Sequence, residues 1–395
     1  MAQSAKSHAN VELSSYMQPV VAIGARNVGA EGGTGVSTYA ATLREALQHN
    51  GAQVGIAGGM DWQRAPHALR NKFLQFVLAL KAHQKFTFSQ SEYSWNVSDF
   101  FRKIQVHFST FNRITAVSSE YTPNIIHWSY PFPAYWENIP NIYTVHDLIP
   151  LLHPDLTGIQ SERMQRILKQ CMQRATAIVT VSEAVRQDIA VCFPEYIHKV
   201  VVLGQAVSLP FGNAKISAFH EGKEHFLYFG SIEKRKNIYR LIQAHGRSGT
   251  HCPLLLIGND GFGAREELAA IAMHPKPDLV RHIPWCSKEH LLTLIQNARA
   301  VLFPSLAEGF GLPIVESMAL GTPVMTSNGH ATQEVAGNAA LLVDPYNVSE
   351  MADAISLLDQ SACLRQELTS AGLMRAQDFS MEHYMSRIAS LYKRL

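Results

Sequence analysis

The sequence predicts an α/β protein of two doubly wound, parallel-sheet, Rossmann-like domains facing a central cleft. Three observations carry this expectation. The chain has 395 residues, too many for one ordinary core, which stops growing at roughly 250 to 300 residues. Short apolar runs of strand type alternate with segments of helical periodicity along the chain. The alternation lapses once near the middle and then restarts.

The first unit is an apolar run at residues 19–24, a glycine-rich loop, and a helix over 37–49 with Tyr39, Leu43 and Leu47 on one face. A second strand at 52–57 follows Gly51 and completes a β-α-β unit. Strands recur at 124–127, 141–145 and 177–181, with helices at 161–174 and 183–191. Residues 204–224 begin Gly-Gln-Ala-Val-Ser-Leu-Pro-Phe-Gly-Asn and read as the interdomain linker. Beyond it, strands are expected at 226–230, 253–257, 300–303, 323–326 and 340–343, and helices at 237–245, 287–298 and 349–358. The chain therefore divides into residues 1–208, 209–379 and a terminal helix, 380–395, with Tyr384, Ile388, Leu391 and Leu395 on one face.

Composition narrows the function classes. A formal charge of +2 argues against a dedicated nucleic-acid binder. The five cysteines are odd in number and lack any Cys-x-x-Cys pair, which suggests neither a disulfide framework nor a zinc site and fits a reducing compartment. Residues 1–12 are polar rather than built as a secretory signal, and no run of about 18 uncharged apolar residues occurs. A cytoplasmic protein is expected. Residues 69–86 set Phe73, Phe76, Val77 and Leu80 on one helical face, with Arg70, Lys72, Lys81 and Lys85 near the ends. Such a helix either packs in the core or lies on an anionic membrane.

The densest motif is Pro304-Ser-Leu-Ala-Glu308-Gly-Phe-Gly-Leu-Pro-Ile-Val-Glu316-Ser-Met-Ala-Leu-Gly321. Pro313 suits the first turn of a helix and Gly321 its end, so Glu316 lies on that helix and Glu308 in the loop before it. Both carboxylates then meet at the C-terminal edge of the preceding strand, where open α/β sheets bind ligands. Gly309 and Gly311 let backbone N–H groups approach a ligand, and the helix dipole favours an adjacent phosphate. On spacing alone, Glu308 reads equally as a solvated loop charge and Glu316 as a surface helix charge. Lys236, after a strand ending in Gly230, would present its ammonium to the same cleft, beside Arg235; on its own, Lys-Arg-Lys at 234–236 reads as a solvated turn. The loop from Gly29 to Gly35, with Gly32 and Gly33, enters a helix as a phosphate-approaching loop does. It matches Gly-x-Gly-x-x-Gly only in part, because Thr38 stands at the last glycine. His146 ends an apolar strand, a common place for a structural histidine.

Taken in order, the 304–323 segment, residues 229–237, His146-Asp147-Leu-Ile-Pro, Val179-Thr-Val-Ser-Glu and Glu334-Val-Ala-Gly-Asn-Ala-Ala-Leu-Leu-Val-Asp344-Pro resemble the family 4 glycosyltransferases of the GT-B fold. The resemblance implies that Glu316 binds the nucleotide ribose and Glu308 the transferred sugar. Lys236 would meet the diphosphate with Arg235 assisting. His146 would lie near the transferred sugar, with Asp147 orienting its loop. Gly33, Gly35, Gly230, Gly309, Phe310, Gly311 and Leu312 would complete the set around the nucleotide-sugar donor. Many members carry arginine directly after the glycine, where this chain has Ser231.

The resemblance further implies retaining transfer, closest to bacterial mannosyltransferases of O-antigen and exopolysaccharide synthesis, with GDP-mannose as donor. The acceptor would be a polyprenyl-diphosphate-linked oligosaccharide, which brings the enzyme to the inner face of the cytoplasmic membrane and favours the membrane reading of residues 69–86. No Asp-x-Asp triplet or His-Glu-x-x-His spacing is present, so no metal is expected. Two rivals stay open. A dinucleotide-dependent oxidoreductase would use the same glycine loop, with Asp61 as its acidic partner, and a catalytically silent subunit would bind the sugar nucleotide without turnover.

Overall fold

The structure, a computed structural model, describes residues 18–25, 35–58, 81–207 and 224–395. Two sheets organise it. The first holds β1 (Val20–Gly24), β2 (Gln53–Gly58), β3 (His83–Ser89), β4 (Ser94–Asn96), β5 (Thr115–Ser119), β6 (Ile125–Trp128), β7 (Ala134–Trp136), β8 (Asn141–Val145), β9 (Ala177–Thr180) and β10 (Val200–Val202). Their order is β10-β9-β8-β6-β1-β2-β4-β3-β5-β7. The second holds β11 (His225–Phe229), β12 (Leu254–Ile257), β13 (Val280–Ile283), β14 (Ala298–Phe303), β15 (Val324–Ser327) and β16 (Leu341–Val343), ordered β13-β12-β11-β14-β15-β16.

Neighbouring strands run parallel except β3 and β4, which pair antiparallel toward the far end of the first sheet. Parallel sheets carry helices on both faces, so their strands are apolar throughout rather than alternating. β8 and β11 are buried at all five positions. The strand order reverses between β1 and β6 in the first sheet, whose far end also exchanges β3 and β4, and between β11 and β14 in the second. Those switch points are where connections diverge to opposite faces and leave a crevice at the C-terminal edge.

Five helices line the crevice or brace its walls: α1 (Gly35–His49), α2 (Glu183–Cys192), α3 (Leu312–Ala319), α4 (His330–Ala336) and α5 (Met381–Tyr392). α5 comes after the second sheet in sequence but packs on the first. Ser380 caps its N-terminus, accepting from His383 N at 3.4 Å. Tyr384, Ile388 and Leu391 are buried against the first core, Asn50 Nδ2 donates to Met385 O at 2.9 Å, and the Tyr392 hydroxyl meets His127 Nδ1 at 2.8 Å. Leu395, expected on the same face, lies past the helix end and is exposed.

The helix expected over 69–86 is corrected at its C-terminal end. Its last residues belong to β3, in which Gln84 and Phe86 are buried and His83 and Lys85 exposed. That alternation is the period of two of a half-covered strand. Phe86 stacks on Trp136, and Lys85 pairs with Glu120 at 2.8 Å. Residues 69–80 of the segment, with Arg70, Lys72, Phe73, Phe76, Val77 and Leu80, lie outside the described residues, as does most of the linker, and Lys81 is exposed just before β3.

Deleting residues 380–395 removes three buried side chains, each contributing about 1.5 to 3 kcal/mol, and exposes the core beneath them. The melting temperature should fall by at least about 5 °C; an unchanged value in differential scanning calorimetry would refute the docking of α5.

Candidate functional site

The two charged motifs leave the second sheet on either side of its switch point, one after β11 and one after β14. Asn237 fastens them together. It adopts a left-handed conformation, φ 63°, that ends the tight turn Lys234–Lys236, and its Nδ2 donates to Pro304 O at 3.0 Å and Pro345 O at 2.7 Å. Leu306 N donates to Arg235 O at 2.7 Å. Held this way, the turn aims Arg235 and Lys236 at Glu308.

Glu308 is buried, and its carboxylate accepts from Lys236 Nζ on one oxygen and from Arg235 Nη1, at 2.8 Å, on the other. Arg235 Nε donates to Glu233 at 2.7 Å, and Glu233 accepts from Ser231 Oγ at 2.7 Å. Ser231 therefore aligns the carboxylate that orients Arg235. Lys236 also sits over the Phe303 ring, 4.7 Å from its centroid. Burial pushes the Glu308 carboxyl up, but Arg235 and Lys236 outweigh it and hold the group below its ordinary range. Burial lowers the Lys236 ammonium, with Glu308 opposing.

Across the cleft, His146 Nε2 lies 2.8 Å from Ser129 O. A carbonyl only accepts, so the proton sits on Nε2 and Nδ1 is the free acceptor of the neutral ring. Burial lowers its pKa to about 4, so the ring is uncharged at neutral pH. Asp147 accepts from Ile149 N at 3.1 Å and turns the chain; burial raises its carboxyl and Arg235 opposes. The loops of the two domains touch here. A Cβ on Gly309 would lie 1.7 Å from His146 O, a separation no side chain tolerates.

Three further contacts lock that approach. Ser182 Oγ donates to Gly309 O at 2.7 Å and also caps α2. Glu334 accepts from Glu183 N and Ala184 N, both at 2.8 Å, so a carboxylate of the second domain satisfies two otherwise unpaired amides at the start of α2. His330 places Nδ1 3.3 Å from Glu308 O and Nε2 3.0 Å from Asp188 Oδ1. Both partners are acceptors, so only the imidazolium satisfies both, and the hydrogen bond to Asp188 accordingly raises its pKa. Ile149 and Leu156 pack against Ala307 in a small apolar cluster beside these polar ties.

The donor-facing groups expected from sequence divide in two. Gly35, Gly230, Gly309, Gly311, Leu312 and Glu316 lie around the crevice. Gly35 begins α1, and a Cβ on it would meet Leu312 Cδ1 at 3.9 Å, so the N-termini of α1 and α3 face one another. Two helix dipoles then point positive ends into one space. Glu316, on α3, is partly buried, and burial raises its carboxyl to about 7 against the opposing pull of Lys288. Phe310 is buried, with its ring edge-on to Phe379 at 5.5 Å. Gly33 and Asp61 lie outside the described residues. Among the described residues no cluster of three His, Cys, Asp or Glu side chains is placed to hold a metal ion, and no helix is long and apolar enough to cross a membrane. Sequence reasoning missed Ser182, Asp188 and His330, whose partners lie in the other domain, and Glu233, which pairs with Ser231 and Arg235 inside its own turn.

This geometry sets two expected outcomes. Gly309→Ala forces the loops apart, so transfer should drop at least roughly tenfold and small-angle scattering should report a larger radius of gyration; a variant with parental activity and radius would contradict the contact. The His330 pKa is raised on folding, so its bridge stabilises below the ordinary value and is lost as pH rises through the folded one. The melting advantage of the parent over His330→Gln should be present at about pH 6 and shrink as the pH is raised above the ordinary histidine range; a difference independent of pH would refute the imidazolium bridge.

Comparison with known proteins bears on the family and the fold. Residues 33–209 match the family model Glycosyltransferase Family 4, and residues 213–373 match Glycosyl transferases group 1. The O-antigen chain mannosyltransferase B of Escherichia coli is 30% identical over 267 residues, covering 64% of this chain and 70% of that one. Sucrose-phosphate synthase from Thermosynechococcus elongatus superposes with a TM-score of 0.72 at 18% identity, over 96% of this chain and 99% of that one. Anabaena HepE, solved in complex with UDP and glucose, gives 0.64 at 12% identity over 96% and 100%. The superpositions establish the fold and the sequence relationship the family: the chain belongs to the family 4 glycosyltransferases and has their GT-B architecture.

Proposed function

We propose that this glycosyltransferase moves mannose from GDP-mannose, with retention, onto a lipid-linked oligosaccharide during O-antigen or exopolysaccharide synthesis at the inner face of the cytoplasmic membrane. One observation carries the reading: Arg235 and Lys236 converge on Glu308 at the switch point of the second sheet, opposite the N-terminus of α1. A nucleotide diphosphate leaving group gains negative charge as the glycosidic bond breaks, and fixed cations with two helix N-termini stabilise it without reorganising. The mannose assignment and the polysaccharide setting draw support from the E. coli relative, an O-antigen chain mannosyltransferase.

In this reading Glu308, released from the cations by the diphosphate, grips the transferred sugar, and neutral His146 offers Nδ1 or its backbone to a sugar hydroxyl. Glu316 binds the ribose hydroxyls, which supply hydrogen bonds to a carboxyl whose pKa burial has raised. With Glu308 engaged by sugar hydroxyls and Asp147 tied to the backbone, neither carboxylate is assigned as the attacking nucleophile. The departing phosphate oxygen takes the proton of the incoming hydroxyl on the same face, and the protein contributes orientation and electrostatics. Lys236 and Arg235 neutralise the diphosphate in place of a divalent cation. The oxidoreductase alternative is not favoured by the family relationship.

Lys236→Ala and Glu316→Ala should each cost about a hundredfold or more in turnover, the effect of losing a buried charged contact to a transition state, with the fold intact by circular dichroism. Near-parental rates in both would remove the assignment. A thermal-shift panel of GDP, UDP, ADP and dTDP sugars tests the donor, and GDP-mannose should give the largest shift. Turnover should survive EDTA; abolition by EDTA with rescue by magnesium or manganese would indicate a metal clamp instead.

A further inference from the structure

Beneath His146 lies a buried hydrogen-bond chain that links three separate elements. Tyr39 of α1 places its hydroxyl 2.8 Å from Thr144 Oγ1 on β8. Thr144 Oγ1 is also 2.8 Å from His127 Nε2 on β6, and His127 Nδ1 is 2.8 Å from the hydroxyl of Tyr392 on α5. Tyr39, Thr144 and His127 are fully buried, and the buried Tyr384 of α5 lies beside Tyr39. Burial holds His127 neutral, with a pKa of about 3, so one ring nitrogen donates and the other accepts.

His146 directly follows β8, two residues after Thr144, and both side chains meet Tyr39. Tyr39 spans them. Its hydroxyl holds Thr144 while its ring meets the His146 ring at 89° with centroids 4.9 Å apart. A further restraint on His146, among the described residues, is its hydrogen bond to Ser129 O. The ring is thus fixed on one edge by a carbonyl and on its flank by a tyrosine whose place is set by the chain ending at Tyr392.

We propose that Tyr39 and Tyr392 are positioning residues for His146. Tyr392 anchors the chain, Tyr39 transmits its geometry to the imidazole, and docking of α5 on the first domain completes the sugar-facing constellation. This deepens the function proposed above, because it rests on His146 facing the transferred sugar. Tyr39 also stands one turn inside α1, so the same anchor fixes the helix N-terminus opposite Leu312.

The test uses Tyr39→Phe and Tyr392→Phe in the full-length protein, each alone and combined with His146→Ala. Donor affinity, and kcat and KM of donor turnover, are measured for the donor selected by the thermal-shift panel. Each single hydroxyl deletion should lower kcat roughly tenfold with donor KM within about twofold of the parent, since it misplaces a contact rather than removing binding. In the His146→Ala background the same deletions should cause no further loss. Unchanged kcat in both tyrosine variants overturns the proposal. Full additivity with an impaired His146→Ala overturns it too, while leaving the role of His146 standing. A fully active His146→Ala instead removes the reading of His146 itself. Should Tyr392→Phe fail to fold, Tyr39→Phe, which keeps the ring against His146 and removes only the hydroxyl, decides the matter by the same criteria.

Discussion

The space that a side chain at position 309 would fill is occupied by the carbonyl of His146. This single approach brings the edge of the first sheet against the edge of the second and sets the width of the crevice between them. Other features are arranged to hold it. Ser182 takes the neighbouring carbonyl, Glu334 closes the end of α2, His330 ties Asp188 to the backbone of Glu308, and Ile149, Leu156 and Ala307 exclude water beside them. Each tie crosses between domains and none is large. Polar contacts that satisfy groups on both sides can separate without exposing much apolar surface, as a cleft that admits and releases substrates requires.

Most of the architecture was legible because parallel sheets covered on both faces write themselves as apolar runs between amphipathic helices. β1, β8 and β11 and the helix at Ser161–Arg174 stand within a residue of where periodicity puts them. The far end of the first sheet was not legible. β4 and β7 have three residues each, too short for a pattern, and β3 comes after a segment whose helical spacing concealed the change to a period of two. Its Phe86, at the end of that segment, is a buried core residue stacked on Trp136.

The site was legible in its charged residues and silent about their pairing. Glu308, Arg235, Lys236 and Gly309 stood out through their motifs, but nothing in the order of residues told that Ser231 would act through Glu233 where an arginine is usual. Asp188 and His330 are 142 positions apart. Such partners are visible only when both domains are folded, because the contact is made by the meeting of two loops rather than by either one.

The pairing of Arg235 and Lys236 with Glu233 and Glu308 has a bearing on what the enzyme holds between reactions. Two positive and two negative side chains leave the resting cluster close to electrically balanced. In the proposed mode of binding, an incoming phosphate group would meet a competitor already seated on the cations and gain only the difference between two partners. A ligand that also gives Glu308 a set of hydroxyls to hold compensates that carboxylate for the cations it surrenders. A spent nucleotide, with no sugar attached, offers it nothing. If the nucleotide diphosphate binds these cations as proposed, the internal carboxylate would work as a built-in displacer, weakening the grip on the leaving nucleotide once its cargo has been passed on.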